Sequence, residues 1–248
     1  MAALAAAGYH AVAPFMRGYA PTAVPPDGRY QTQVLGDDVL ALITALGEET
    51  AIVIGHDWGA AAAYAAAVTA PKRISRLVTM AVPYGLGLFM RMVADPVQQR
   101  RSWYMYLLTS PLGEPALAWD DFAFVDRLWA DWSPGFTPDP AHIARVKDAL
   151  RAPGAAQAAA SYYKHLFLPE LQDPALASAQ SRFGTAALQM PALYLHGADD
   201  GCIGAEIDTE RALYTAGVIA EVVPGTGHFL HLESPAVINT RILEFLAS

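Results

Sequence analysis

Apolar positions change their period along this chain, and the changes mark out its elements. Residues 9 to 14, "YHAVAP", read as a strand, and a Pro- and Gly-rich stretch, "APTAVPPDGRY", follows as a loop. Leu35, Val39, Leu42, Ile43 and Leu46 then recur at helical spacing, which predicts a helix ended by Gly47. A tight apolar strand over 51 to 55 runs into an alanine-rich helix after Trp58 that stops where Pro71 forbids continuation. "RLVTMAV", 76 to 82, is the next strand. From Tyr84 to about Ala187 aromatic and apolar residues keep helical spacing, interrupted by prolines, with no convincing strand. Strand character returns at 192 to 197, "ALYLHG", and 219 to 225, "IAEVVPG". The chain finishes in a helix with Ser234 as N-cap and Pro235 at its first position. Strands alternating with helices predict an α/β fold with a mostly parallel sheet, divided by a helical insert.

Composition narrows the function classes. Of 248 residues, 54% are hydrophobic and 16% charged, enough for a sizeable core in one elaborated domain or a domain plus an insert. A net charge of -8 without a run of Lys or Arg argues against nucleic acid and anionic membrane surfaces. The partner expected is small and neutral. One cysteine, Cys202, cannot form an internal disulfide, and the seven histidines lack the spacing of a zinc site. A reducing cytoplasm and no metal are the expectation. The opening "MAALAAAGYH" lacks the regions of a signal peptide, and no stretch reaches the roughly 18 to 20 apolar residues of a membrane span.

The joint at 55 to 59, "GHDWG", carries the first chemistry. Glycines two residues either side of Asp57 allow a strained strand-to-helix turn that pushes one side chain out above the sheet, the geometry of a nucleophile elbow. The N-terminus of the following helix favours an anion there. An aspartate in that place is a nucleophile already ionised at neutral pH, suited to displacement at an sp³ carbon with an ester intermediate on the enzyme. The plainer alternative is that Asp57 caps the helix.

Two later motifs bear on this choice. "LHGADD" places Asp199 and Asp200 just beyond one strand, and "PGTGHF" places His228 in a glycine-bounded loop beyond the last. Each alone is ordinary, since a loop Asp usually caps a turn and a lone His is usually structural. Together they follow the order nucleophile, acid, histidine, each after a strand's carboxyl end, which is the triad order of the α/β-hydrolase fold. Asp200 is favoured as the acid because its spacing from Gly197 matches the pattern of that family, with Asp199 the runner-up. His231 is a weaker candidate base, and His10, His56 and His196 read as packing or loop-support residues.

Over nearly its whole length the chain resembles the epoxide hydrolase branch of the α/β-hydrolase superfamily, in "GYHAVAPFMRGYAPT", "GHDWGA", the helical insert, "LHGADD" and "GTGHF". The resemblance implies a hydrolase core over 1–83 and 188–248 and a helical cap over 84–187. It also implies two cap tyrosines that grip an epoxide oxygen. "RRSWYMYLLTSPLGEP" supplies Tyr104 and "ASYYKHLF" supplies Tyr163, with Tyr106 and Tyr162 the neighbours that a shift of register would select. By periodicity alone these aromatics are the core of the cap. The implied reaction is cofactor-free: Asp57 opens a small apolar epoxide, the tyrosines protonate the oxygen, and His228 with Asp200 activates water to release a diol. Trp58 would give its backbone N–H to the oxyanion and line the pocket with its indole.

Alternatives remain on the same scaffold. Haloalkane dehalogenases use the same Asp, acid and His; the cap tyrosines favour epoxides, because a departing halide wants no proton from a phenol. A non-catalytic protein that keeps the pocket for a small ligand is the other reading. Family members carry further strands and an H-G-x-P segment, donor of a second oxyanion N–H, before the stretch that matches residue 1. The expectation is therefore an N-terminally shortened sheet and slow hydrolysis of the ester, since losing one oxyanion donor costs about 10² to 10³ in rate. Cys202 reads as a small apolar filler. Which epoxide is used, and the oligomeric state, are not legible in the sequence.

Overall fold

The computed structural model describes residues 1–248. Its centre is one sheet of four parallel strands in the order β1-β2-β3-β4: β1 Ala51–His56, β2 Ile74–Met80, β3 Ala192–Gly197 and β4 Val218–Val223. The register pairs Gly55 with Thr79, Met80 with Leu195, and Leu195 with Glu221. Because all four run the same way, their carboxyl ends open on one edge.

Alternation along each strand divides the core between two faces. Leu77 and Ala192 point to one side, where they pack with Ile43, Ala63, Tyr64 and Leu188. Their neighbours Val78 and Leu193 point to the other, against Ile238, Ile242 and Phe245. The first face is covered by α2 (Thr32–Ala45) and α3 (Trp58–Thr69), the second by α12 (Pro235–Ala247) with α1 (Ala2–Ala6) beside it. Alanines are seven of the twelve residues of α3, so its backbone lies close to both the sheet and α2. The helix holds one large side chain inside, Tyr64, whose hydroxyl lies 2.7 Å from Thr79 Oγ1.

Between β2 and β3 the chain is helical: α4 Gly87–Ala94, α5 Pro96–Arg101, α6 Trp103–Thr109, α7 Gly113–Trp132, α8 Pro140–Arg151, α9 Ala155–Phe167 and α10 Ala177–Gln180. Their aromatic faces form a third core, with Tyr104, Phe124, Trp129, Trp132 and Tyr162 buried in it. Helix α7 is broken at Trp119–Phe122, where Asp120, Asp121 and Phe122 have φ of 48°, 52° and 59°. Three L-residues in left-handed conformation cost roughly 1–2 kcal/mol each; burial of Phe122 and the ion pair of Asp121 with Arg151 offset part of that. The last short helix, α11 (Leu230–Glu233), leads into α12. No helix is long and apolar enough to cross a membrane.

The structure departs from the sequence reading at three places here. Residues 9 to 14 are not a strand. Their alternation sets where side chains point, but a strand also needs a hydrogen-bonded neighbour, and no ladder pairs with this stretch; Val12 is 44% exposed. His10 is exposed rather than packed. Ser234 stands at the N-cap of α12, yet its side chain makes no capping bond.

Gly36 measures how close α2 and α3 lie. A Cβ there would meet the Cβ of Ala65 and the amide of Ala66 at 2.7 Å. Helix propensity alone would make Gly36→Ala stabilising by about 1 kcal/mol. We expect the clash to win, with a net loss of about 1–3 kcal/mol read from the urea midpoint; a midpoint at or above that of the parent would refute this packing.

Candidate active site

The elbow follows from Gly55; at Gly59 a Cβ would meet nothing within 4 Å. At Gly55 a Cβ would collide with the carbonyl of Gly59 and come within 2.7 Å of the amide of Ala60, so only glycine lets β1 run this close to the first turn of α3. Between them Asp57 is held at φ 51°, ψ -120°, a conformation costing on the order of 1–3 kcal/mol for a residue with a side chain. The main chain supports it: Asp57 N–H donates to Met80 O at 3.3 Å, and Asp57 O accepts from Ala60 and Ala61. Asp57 occupies the N-cap position of α3, but its side chain makes no capping bond. The carboxylate projects instead toward the histidine.

His228 is fully buried and bridges two carboxylates. Its Nδ1 lies 2.9 Å from Asp200 Oδ2 and its Nε2 3.4 Å from Asp57 Oδ1. The Nε2 has no well-aligned hydrogen-bond partner. Asp200 is buried as well; its other oxygen accepts the backbone N–H groups of Cys202 at 2.7 Å and Ile203 at 3.0 Å. Asp199, by contrast, is exposed. The three residues come from the carboxyl ends of β1, β3 and β4, where a parallel sheet brings loops distant in sequence together.

Electrostatics bind the three into one unit. Burial pushes the Asp57 carboxyl up, but the close approach and charge of His228, with His56 and the Trp58 amide, outweigh it and hold the group below the ordinary carboxylate range. Burial likewise pulls His228 down, and the facing Asp200, with Cys202 and Asp57, more than reverses this and raises it well above 6.5. At His56 the pull of Asp57 and Asp200 is outweighed, and His231 has no such compensation. Burial and the neighbouring histidines lower them to about 4 and about 3, so both are neutral. The neutral His56 bonds His228 O through Nε2 at 2.9 Å and so supports the histidine loop.

The aromatic residues of the insert face this unit unequally. The rings of Tyr104 and Tyr163 lie 5.6 Å apart, and Trp58 packs edge-on against Tyr163 at 5.3 Å. Burial, then Asp57 among other groups, raises both phenols well above 10. Tyr106 is 47% exposed, and the Tyr162 hydroxyl is engaged with Arg17 O at 2.8 Å. His231 stacks near His56 rather than on either carboxylate.

Several neighbours carry no signal in sequence. Tyr19, its ring 5.6 Å from that of Tyr162, is raised by burial and by the charge of Asp57. Trp132 packs its ring 4.8 Å from Tyr104 and 5.0 Å from His228. Cys202 is more than the expected filler: its Sγ is the hydrogen-bond partner of Tyr104 Oη at 3.2 Å. Asp200, Cys202 and His228 have ligand atoms within 4.8 Å of one another, but the Asp200–His228 hydrogen bond already engages two of these groups. His196, neutral through burial, bonds Tyr194 and Ile203 O and lies 3.5 Å from Asp200 Oδ2. A cavity of about 210 Å³ beyond it, lined by Tyr194, Ile207 and Arg211 among others, does not include Asp57.

Known proteins agree with this architecture. The profile of the alpha/beta hydrolase fold matches residues 1–235, and the chain belongs to that family. It is 31% identical over 247 residues to the AB hydrolase superfamily protein YfhM of Bacillus subtilis, covering 97% of this chain and 81% of that one. It is 27% identical to epoxide hydrolase 3 of Xenopus tropicalis over 96% of this chain, which spans 64% of the frog protein's length. The similarity of the chain is thus to the epoxide hydrolase branch. The crystal structure of Bacillus megaterium epoxide hydrolase with an inhibitor superposes with a TM-score of 0.78 over 94% of this chain and 82% of that one; at 20% identity this speaks for the fold.

The buried histidines predict a pH response. His56 and His231 are depressed in the folded state to about 4 and about 3, so the unfolded chain binds more protons once pH falls below about 6.5. Their contribution is full above 6.5 and is lost as pH drops. His228, raised in the fold, contributes fully below 6.5 and loses its contribution as pH rises. Between pH 6.5 and 4 the unfolding free energy should fall more steeply in the parent than in His231→Gln, by on the order of 1–3 kcal/mol. Parallel urea-midpoint profiles for the two would overturn this assignment.

Proposed function

We propose that this protein is an epoxide hydrolase acting on small apolar epoxides through an ester on Asp57, with residues 84–187 serving as a cap over a core of 1–83 and 188–248. The observation that carries this reading is the line Asp57, His228, Asp200, with His228 Nε2 3.4 Å from Asp57 Oδ1 and Nδ1 2.9 Å from Asp200. An aspartate nucleophile suits an alkyl carbon and not an acyl group, because it attacks as an anion and stores the product as an ester.

The chemistry divides into two halves. Asp57 attacks an epoxide carbon, the carbon–oxygen bond breaks, and the electron pair goes to the oxygen. Tyr104 and Tyr163, kept protonated by burial, hydrogen-bond that oxygen and deliver its proton. Esterification then removes the negative charge of Asp57, one of the groups holding His228 protonated. His228 then yields its proton, which restores the phenol that protonated the epoxide oxygen, and the neutral imidazole is available as a base at the moment one is needed. His228 Nε2 takes a proton from water, the hydroxide adds to the Asp57 carbonyl, and the Trp58 N–H at the start of α3 faces the resulting oxyanion. Collapse breaks the bond between the carbonyl carbon and the substrate oxygen, the departing alkoxide takes the proton of the added hydroxyl to give a vicinal diol, and the carboxylate of Asp57 is restored beside a protonated His228.

Intact-protein mass measurement with styrene oxide, with diol release followed in parallel, tests this. The parent should form diol, Asp57→Ala should form neither adduct nor diol, and His228→Gln should accumulate an adduct mapped to Asp57. Tyr104→Phe and Tyr163→Phe should each slow adduct formation, on the order of 10²-fold. Diol formation that survives Asp57→Ala would sink the proposal.

A further inference from the structure

The end of α7 supplies hydrogen bonds that the reaction scheme above does not use. A helix leaves its last carbonyls without partners. Here the carbonyl of Trp132, the final residue of α7, accepts Gly201 N–H at 3.0 Å and His228 N–H at 3.1 Å. One helix end thus holds the loop of the acid and the loop of the histidine together. Two glycines show how tightly they are pressed on it. At Gly201 a Cβ would collide with Asp131 O, and at Gly227 it would meet Ser133 Oγ at 2.7 Å and Trp132 O at 2.8 Å.

The next residue extends the arrangement. Ser133 is fully buried; its Oγ donates to Glu233 Oε1 at 2.7 Å and accepts Phe229 N–H at 3.2 Å. The other oxygen of Glu233 accepts Gly227 N–H at 2.7 Å. His228 is therefore fixed from both sides, with the residue before it on Glu233, the residue after it on Ser133, and its own amide on Trp132. Hydrogen bonds to a carboxylate are about twice as strong as neutral ones.

We infer that Glu233 and Ser133 are positioning residues for His228, setting where its Nε2 stands relative to the ester on Asp57. The inference rests on the epoxide hydrolase reading and concerns its second half-reaction only. Neither residue touches the reacting atoms. Their loss should leave attack by Asp57 intact, because Asp57 is held by β1 and α3, while displacing the base. Misplacement of a catalytic group by about 1 Å costs on the order of 10² in rate.

The test separates the half-reactions. In Glu233→Ala and Ser133→Ala we expect the Asp57 ester of styrene oxide to form at the parent's rate and to persist, with hydrolysis slowed by about 10- to 100-fold. Glu233→Gln, which keeps one acceptor oxygen, should recover part of the loss. Unchanged hydrolysis, or an equal fall in both steps as from a destabilised fold, overturns the inference. A parent that opens no epoxide refutes the proposed function instead. In that case the proton between His228 Nδ1 and Asp200 still reports on positioning: its downfield NMR resonance should shift or broaden in Glu233→Ala, and an unmoved resonance overturns the inference.

Discussion

Everything at the site depends on the close approach of Gly55 to the backbone of Gly59. Because Gly55 has no Cβ, β1 enters α3 without a spacer, and Asp57 between them stands at a positive φ with its side chain above the sheet edge. A carboxylate placed there by a looser turn could have satisfied itself on the amides of α3. Held as it is, Asp57 caps nothing, and its strongest partner is a histidine more than 150 residues away in sequence, a distance only a parallel sheet makes short.

Burial then sets the charges. Asp200 accepts three hydrogen bonds, two from the backbone of its own loop and one from His228. That arrangement makes an ionised carboxylate tolerable with no solvent around it and lets it raise His228. The neighbouring imidazoles, His56 and His231, have no carboxylate in contact and are driven neutral by the same burial. One low-dielectric environment thus produces opposite protonation states: His228, between two carboxylates, is raised, while His196, with Asp200 on one side only, is lowered by burial.

The helical insert packs its aromatic core against the site and supports its loops. Tyr104 and Tyr163 pack against each other, Tyr163 also against Trp58, while Gln98 on α5 bonds Cys202 O at 2.9 Å and α7 ends on the loops of Asp200 and His228. Cys202 joins the two roles: its N–H is on Asp200, its carbonyl on Gln98 and its thiol on Tyr104. The phenol and the acid are therefore connected through one residue of the β3 loop.

Period and punctuation were enough to locate β1 through β4, the alanine helix and a strand-free insert, because those elements are amphipathic or apolar in ways local sequence records. The elbow, too, was legible, since its glycines are a local requirement of a tight turn. Residues 9 to 14 misled because alternation says nothing about whether a neighbouring strand exists. Asp200 and Tyr104 are buried where Asp199 and Tyr106 are exposed, a matter of one residue's rotation about the backbone, while Tyr162 and Tyr163 are both buried and differ in their partners, the Tyr162 hydroxyl being taken by Arg17 O. Tyr19, Trp132, Ser133, Glu233 and the thiol of Cys202 left no trace in the pattern. Their places come from packing between segments far apart in the chain, so the sequence by itself determined the elements and the order of the chemistry, and tertiary structure alone decided which atoms meet.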